Sequence, residues 1–167
     1  MPLNSFFNVP GASQIAVAGH ILLDNVRFDP AHGNHFIVIP VANVDKTVLN
    51  AIRYAKLLSG NIFAVHILIN PSSKDRIEGK WKTHVDIPLI ILESHNGSII
   101  NPLAEYVHGM LRRHKQSIVT VVLPVIKTLN WWQRFLFNQT ARLIERAFEG
   151  KEDIVTIRVP FSLTTDS

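Results

Sequence analysis

Short runs of consecutive apolar residues recur along the chain after His35. They are Phe36–Val41, Ile62–Ile69, Ile87–Leu92, Ile118–Leu123 and Ile154–Val159. Runs that are apolar at every position, and rich in β-branched residues, are typical of strands that are covered on both faces of a sheet. The sequence therefore predicts five buried strands.

Between these runs, apolar residues recur at helical spacing. The predicted helices are Asp45–Ser59, Ser72–Lys82, Ile99–Lys115 and Asn130–Glu149. Asp45 is the expected N-cap of the first helix, and Pro102 fits the first turn of the third. Strands that alternate with helices form βαβ units with right-handed crossovers. The pattern predicts an α/β fold with a doubly wound, mostly parallel five-stranded sheet.

The first part of the chain lacks this alternation. Proline, glycine and asparagine punctuate residues 1–34, and no lysine or arginine precedes Arg27, which does not favour a secretory signal peptide. We interpret residues 1–34 as an irregular N-terminal connector, residues 35–163 as a single α/β domain and residues 164–167 as a tail.

Composition narrows the class of protein. The chain has 167 residues, of which 47% are hydrophobic and 18% charged, which suits one packed domain and not a disordered segment. No cysteine is present, which excludes disulfides, a thiol nucleophile and cysteine-ligated metals. The longest apolar run, Ile118–Ile126, is interrupted by Thr120 and Pro124 and is far shorter than a membrane span of roughly 20 residues.

The net charge and the spacing of the histidines indicate which kinds of ligand and partner to expect. A net charge of +4 suits an anionic small ligand or a nearby membrane surface but is too weak to indicate DNA. The basic residues are not interleaved with aromatic ones, so no nucleic acid partner is expected. The cluster at Arg112–Lys115 ends a helix, where it is either a solvated helix end or a docking point for an acidic membrane or protein. The histidines lack metal-ligand spacing, and no metal is expected.

Candidate binding residues follow from the predicted sheet. Ligands of doubly wound sheets bind at the carboxyl ends of the strands, where the strand order reverses, and phosphates favour helix N-termini. The candidate ligand-binding residues are Pro40, Val41, Ala42, Val65, His66, Pro124, Asn138, Gln139 and Thr140.

Several of these residues also have a structural interpretation. His66 is either a hydrogen-bonded core residue or a contact for a bound base, and Asn138–Thr140 form either a helix cap or a phosphate site. For Trp131 and Trp132, we favour a role in core or interface packing over stacking on a ligand. No catalytic residues are assigned, because Ser94, His95 and Asp86 lack the Gly-x-Ser-x-Gly turn of a hydrolase. We therefore expect the protein not to be an enzyme.

A resemblance to a known family adds to this interpretation. The segments that carry it are Gly33–Ala42, Gly79–Trp81, Pro88–Ser94, Ser98–Leu103, Val119–Pro124, Trp131–Trp132 and Phe137–Ala141. Together they resemble the universal stress protein (UspA)-like cytoplasmic C-terminal domain of bacterial permeases of the amino acid–polyamine–organocation superfamily, both potassium importers and amino acid permeases. The fold implied is a Rossmann-like α/β/α sandwich.

The resemblance implies a regulatory domain. It implies a cytoplasmic homodimer attached to the membrane portion of a permease, with no cofactor and with cyclic di-AMP as a regulatory ligand that inhibits potassium-importing members. Members of the wider family bind ATP or AMP, but this chain has Ala42 where ATP-binding members have aspartate, and no glycine between Leu123 and Asn138. We therefore favour cyclic di-AMP over ATP and AMP.

Two alternatives remain open at this point. One is a ligand-free dimerisation scaffold that associates through the helix carrying Trp131 and Trp132 or through the strand Ile154–Val159. The other is a free-standing ATP- or AMP-binding universal stress protein. A third hypothesis, a nucleotide hydrolase, rests only on the fact that folds of this class can host such an activity.

Overall fold

The computed structural model describes residues 34–94, 96–126 and 139–162. The predicted connector up to residue 33, the Trp131–Trp132 pair, Asn138 and the start of the last predicted helix lie outside the described residues. None of the helices within the described ranges is long and apolar enough to cross a membrane.

Strands and helices alternate as the sequence predicts. In chain order the elements are β1 (His35–Pro40), α1 (Lys46–Leu58), β2 (Asn61–Leu68), a 3-10 turn (Pro71–Ser73), α2 (Lys74–His84), β3 (Leu89–Glu93), α3 (Ile100–Arg113), β4 (Ile118–Ile126), α4 (Gln139–Phe148) and β5 (Ile154–Phe161). The five strands form one sheet in the order β3-β2-β1-β4-β5, and every neighbouring pair is parallel. The predicted α/β class and doubly wound topology are confirmed.

Both faces of the sheet are covered, which explains why the strands are apolar throughout. On one face, Ile37 and Ile39 of β1 pack with Ala51 of α1 and Trp81 of α2. On the other face, the interleaved strand residues pack with Leu103 of α3 and Ile144 of α4. Successive strand residues point to opposite faces, so a strand at the centre of this sandwich has no solvent-facing positions.

The starts of the helices follow local polar contacts. The carboxylate of Asp45 accepts hydrogen bonds from the backbone N–H groups of Thr47 and Val48 at 2.9 and 3.0 Å, which confirms Asp45 as the N-cap of α1. The helix predicted from Ser72 begins instead at Lys74, because the side chain of Asn70 accepts from the backbone of Ser72 and forms the preceding 3-10 turn.

All five strands differ from their predicted bounds by one to three residues, and the differences at β3 and β4 involve local contacts. β3 begins at Leu89 rather than Ile87, whose carbonyl accepts a hydrogen bond from the Trp81 indole at 2.8 Å. β4 continues through Pro124 to Ile126, although Pro124 has no N–H to give to a ladder. The ladder to β1 has already stopped at Val121, so the proline costs β4 no bond on that side.

Candidate functional site

The carboxyl ends of β1 and β4 part from each other. The pairing between the two strands ends at Val38 and Val121. β1 continues beside β2 as far as the pair Pro40–Val65, whereas β4 continues beside β5 as far as the pair Ile126–Phe161. The two ends therefore follow different neighbours, and the place between them, called the crevice below, is where the strand order reverses and where doubly wound sheets bind ligands.

The β1 side of this crevice is held by β2. The backbone N–H of Val41 donates to the carbonyl of Val65 at 2.8 Å, which extends the pairing one residue beyond the end of β1. The carbonyl of Val41 accepts a hydrogen bond from Nδ1 of His66, also at 2.8 Å. A ring nitrogen that meets a carbonyl must carry the proton, so the neutral imidazole is the Nδ1–H tautomer.

His66 is therefore a hydrogen-bonded core residue, which is one of the two roles that the sequence left open. The residue is 8% exposed, and its Nε2 atom is buried without a hydrogen-bond partner among the described residues. Because this nitrogen is an acceptor in the Nδ1–H tautomer, it would receive a donor only if the groups that cover it moved. The primary effect of His66 is to fix the carbonyl of Val41 and hence the direction in which the chain leaves β1.

The other candidate residues that the structure describes lie near the ends of β1 and β4 or at the start of α4. Ala42 and Asn43, which follow β1, are exposed, and Pro124 is half-buried three residues beyond the last β1–β4 pair. Gln139 and Thr140 are exposed in the first turn of α4. Asn138 lies outside the described residues, so its predicted role stays a prediction. The structure joins Val41, Val65 and His66 by hydrogen bonds, and the other candidates that it describes lie at the same end of the sheet.

Helix N-termini point to this edge because the helices run antiparallel to the strands. Free backbone N–H groups and the helix dipole give such ends a partial positive charge. At α1, Asp45 already occupies two of these N–H groups. Gln139 and Thr140 lie at the start of α4, the helix that leads from β4 to β5.

A second concavity lies away from the crevice, between α4 and β5. It encloses about 590 Å³, and its charged lining includes Arg142, Glu145, Arg146, Lys151 and Arg158. The guanidinium of Arg158 forms a two-point ion pair with the carboxylate of Glu145. These hydrogen bonds lower the pKa of Glu145, against the opposing effect of partial burial.

This concavity was missed from the sequence. Arg158 occupies one position of a short β-branched strand and carries no signal of its own in the pattern. The spacing of Arg142 and Arg146, one helical turn apart on α4, is the signal that could have found one wall. No group of histidine and carboxylate side chains that could hold a metal ion occurs among the described residues.

Comparison with known proteins identifies relatives of most of the chain. Residues 33–161 match the family model described as the KimA potassium transporter C-terminal domain. A curated relative, potassium transporter KimA of Bacillus subtilis (strain 168), is 29% identical over 128 residues. The match covers 75% of this chain but only 21% of the relative, so the chain spans about a fifth of that protein's length.

Proposed function

The chain belongs to the KimA potassium transporter C-terminal domain family, and from this membership we propose that it is a regulatory domain of a potassium transporter that binds an adenine nucleotide. The family is named for a transporter and not for an enzyme. The proposed domain accordingly binds its ligand without transforming it. Its proposed location is the cytoplasmic face of the membrane, and its partner there is the membrane-embedded portion of the transporter.

The observation that carries the binding proposal is the parting of β1 and β4 beyond Val38 and Val121. The β1 side of this place is formed by the chain that leaves the strand, where Val41 is buried and Ala42 and Asn43 are exposed. Flat bases are well accommodated by such surfaces, because backbone amides and carbonyls can meet the edge of the base. The adenine of the proposed ligand lies against Val41 and Ala42, and its phosphate lies at the start of α4 near Gln139 and Thr140.

Cyclic di-AMP fits this arrangement better than ATP does. The exposed Ala42 brings no carboxylate to the crevice, whereas the universal stress proteins that bind ATP carry aspartate there. The connection between Leu123 and Asn138 contains no glycine, and a triphosphate cradle relies on glycine for close approach of the backbone. Each phosphate of a cyclic dinucleotide needs fewer donors than a triphosphate needs.

A homodimer gives the ligand a way to regulate. Cyclic di-AMP consists of two identical halves, so one molecule is matched by two symmetry-related crevices. A ligand that prefers one arrangement of the two protomers shifts the population toward that arrangement and so biases the attached transporter. We therefore expect a stoichiometry of one ligand per dimer.

The test is isothermal titration of the purified chain with cyclic di-AMP, with ATP and AMP as comparators. The informative variant is Thr140→Ala, and its matched control is Thr83→Ala, which removes an exposed helical threonine hydroxyl at the other end of the sheet. We expect saturable binding that Thr140→Ala weakens about three- to tenfold, the equivalent of one hydrogen bond, while Thr83→Ala leaves it unchanged. Equal effects of the two variants would contradict the assigned phosphate position, and binding of ATP alone would contradict the proposed ligand.

A second candidate function, a ligand-free dimerisation scaffold, is favoured by one observation. β5 is the outermost strand next to β4, and Val155 on it is 44% exposed. An outer strand with an exposed apolar residue is suited to pair with the same strand of a second copy. A dimer that sedimentation detects, together with no heat on addition of any of the three nucleotides, would select the scaffold over the sensor.

A further inference from the structure

We propose that the edge of the sheet opposite the crevice docks on an anionic lipid surface. The amino-edge patch consists of five cationic residues, Lys80, Lys82, Arg112, Arg113 and Lys115. The inference rests on the proposed function in one respect, namely that the domain is attached to a membrane-embedded transporter. Its chemistry is independent of any nucleotide.

The fold gathers these residues at one edge. Helices that connect parallel strands run antiparallel to them, so the C-termini of the helices lie at the amino ends of the strands. Lys80 and Lys82 belong to the end of α2, whereas Arg112, Arg113 and Lys115 belong to the end of α3 and the turn that follows it. The ring of His114 lies 4.8 Å from the ring of Phe36, near the start of β1, which fixes the end of α3 at this edge.

The patch is open and carries uncompensated charge. All five residues are exposed, and none of them forms an ion pair with a carboxylate of the described residues. The acidic residues of the same edge are Asp86, which is paired with Lys56, and the group Glu149, Glu152 and Asp153 in the turn before β5, the outermost strand. The positive charge is therefore concentrated at the ends of α2 and α3, where it complements anionic headgroups.

Exposed apolar side chains accompany the cations. Leu57, at the end of α1, is 81% exposed, and Ile118, at the start of β4, is 48% exposed. The helix dipole favours cations at helix C-termini, but it gives no reason for a leucine there. Lysine and arginine together with exposed aliphatic residues are the combination by which peripheral proteins bind anionic bilayers.

The path of the chain also leads to this edge. The carbonyl of Asn34 accepts a hydrogen bond from the N–H of Ile118 at 3.1 Å, so the chain reaches the sheet at the amino edge. The family is a C-terminal domain, so in its members the other parts of the transporter precede it. A domain suspended from a preceding membrane segment through this edge would present the amino-edge patch to the bilayer and the crevice to the cytoplasm.

The test is co-sedimentation of the 167-residue chain with vesicles of phosphatidylglycerol and phosphatidylcholine, compared with vesicles of phosphatidylcholine alone. The double variant R112Q/R113Q removes two charges from the patch, and K74Q/R76Q removes two exposed charges from the first turn of α2, at the carboxyl edge. Since each cation near a charged bilayer contributes about fivefold to partitioning, we expect R112Q/R113Q to lower binding to the anionic vesicles by at least about tenfold. We expect K74Q/R76Q to leave it within about twofold, because that pair lies at the opposite edge of the sheet from the amino-edge patch.

The apolar part of the patch is tested by Leu57→Ser, which should also weaken vesicle binding without changing the folded structure. Absence of binding to anionic vesicles, or equal losses in the two double variants, would overturn the inference. A self-associated species that R112Q/R113Q dissociates would likewise overturn it, by making this edge a contact between copies. Titration with cyclic di-AMP in the absence of vesicles tests the proposed nucleotide site separately, so that the two proposals can fail independently.

Discussion

The two edges of the sheet expose different chemistry, although the same five strands end at both. At the carboxyl edge the strands β1 and β4 part, and the exposed residues after β1 are small and uncharged, as at Ala42. At the amino edge those two strands are still paired, from His35 with Ile118 onward, and the surroundings are cationic. One edge therefore has parted strand ends beside small exposed residues, and the other has paired strands surrounded by cations.

This difference follows from the topology of the fold. A doubly wound sheet must part its strands where the order reverses, and the parting occurs at the ends that the outgoing connections leave. The same connections bring the C-termini of the helices to the opposite edge, where cations such as Arg113 are favoured by the helix dipole. The topology thus brings the parted strand ends and the cationic helix ends to opposite edges of the sheet, whatever the particular side chains.

The largest expected effect is a difference in stability between a leucine variant in the core and a leucine variant at the amino edge. Leu103 is 1% exposed within the apolar cluster under α3, whereas Leu57 is 81% exposed at the end of α1. We expect Leu103→Ala to lower the free energy of unfolding by about 2–5 kcal/mol, and Leu57→Ala to change it by no more than about 0.5 kcal/mol. Urea denaturation of both variants measures this. A comparable loss for Leu57→Ala would mean that it is part of the core and not available to a membrane.

The next effect tests whether the hydrogen bond of His66 stabilises the carboxyl edge of the sheet. His66→Ala removes the donor from the buried carbonyl of Val41 and should cost about 1–3 kcal/mol. His66→Asn is the matched control, because its amide nitrogen can take the place of Nδ1 and donate to the same carbonyl. Denaturation should find the asparagine variant more stable than the alanine variant. Equal losses would indicate that the ring is needed for packing and not for its hydrogen bond.

A smaller effect is expected at the start of α1, next to the crevice. Asp45→Ala leaves the backbone N–H groups of Thr47 and Val48 without their acceptor and should cost about 0.5–2 kcal/mol. Asp45→Asn keeps an acceptor oxygen and should cost at most a few tenths of a kcal/mol. Thermal denaturation compares the two. If the asparagine variant were as unstable as the alanine variant, the charge and not the hydrogen bond would stabilise the helix.

The smallest effect concerns the ion pair beside β5, which belongs to neither edge. Both side chains are partly exposed, so Glu145→Gln should cost only about 0.2–1 kcal/mol at pH 7. Because Arg158 lowers the pKa of Glu145 in the folded state, the carboxylate stabilises the fold above the pKa it has when unfolded. That contribution is lost as the pH falls through the lower, folded-state pKa.

Denaturation as a function of pH measures this contribution. The difference between the original chain and Glu145→Gln should shrink below about pH 4. Glu149→Gln, in the same concavity, is the control, because none of the salt bridges among the described residues involves Glu149. A difference that persisted at low pH would assign the effect of Glu145 to packing and not to charge.

The sheet could be predicted from the sequence because buried parallel strands consist of continuous runs of apolar residues. It predicted the end of β4 at Leu123 because proline ordinarily ends a ladder. The strand runs on because pairing with β1 has already ceased at Val121, and the register of a pair of strands is not visible in either strand alone. The same limitation explains β3, which is shortened by the contact between Trp81 and the carbonyl of Ile87.

The sequence indicated a place for the candidate site but not its contacts, and ligand binding at that place stays a prediction. The rule that ligands bind where the strand order reverses led to Val41 and Ala42 without any knowledge of distances. The role of His66 could not be decided, since its partner is a backbone carbonyl 25 positions earlier in the chain. The concavity beside β5 escaped notice for a similar reason, because Arg158 and Glu145 meet only after α4 has packed on its strand.

The most direct test of the account is a map of backbone amide chemical shifts during titration with cyclic di-AMP. The account predicts saturable shifts at the carboxyl edge, at Val41, Ala42, Gln139 and Thr140, with the amides of the amino edge around Arg113 unchanged apart from any change in dimerisation. Shifts concentrated at the amino edge, or no shifts on addition of an excess of the cyclic dinucleotide, would contradict the proposal that the crevice between β1 and β4 binds the ligand.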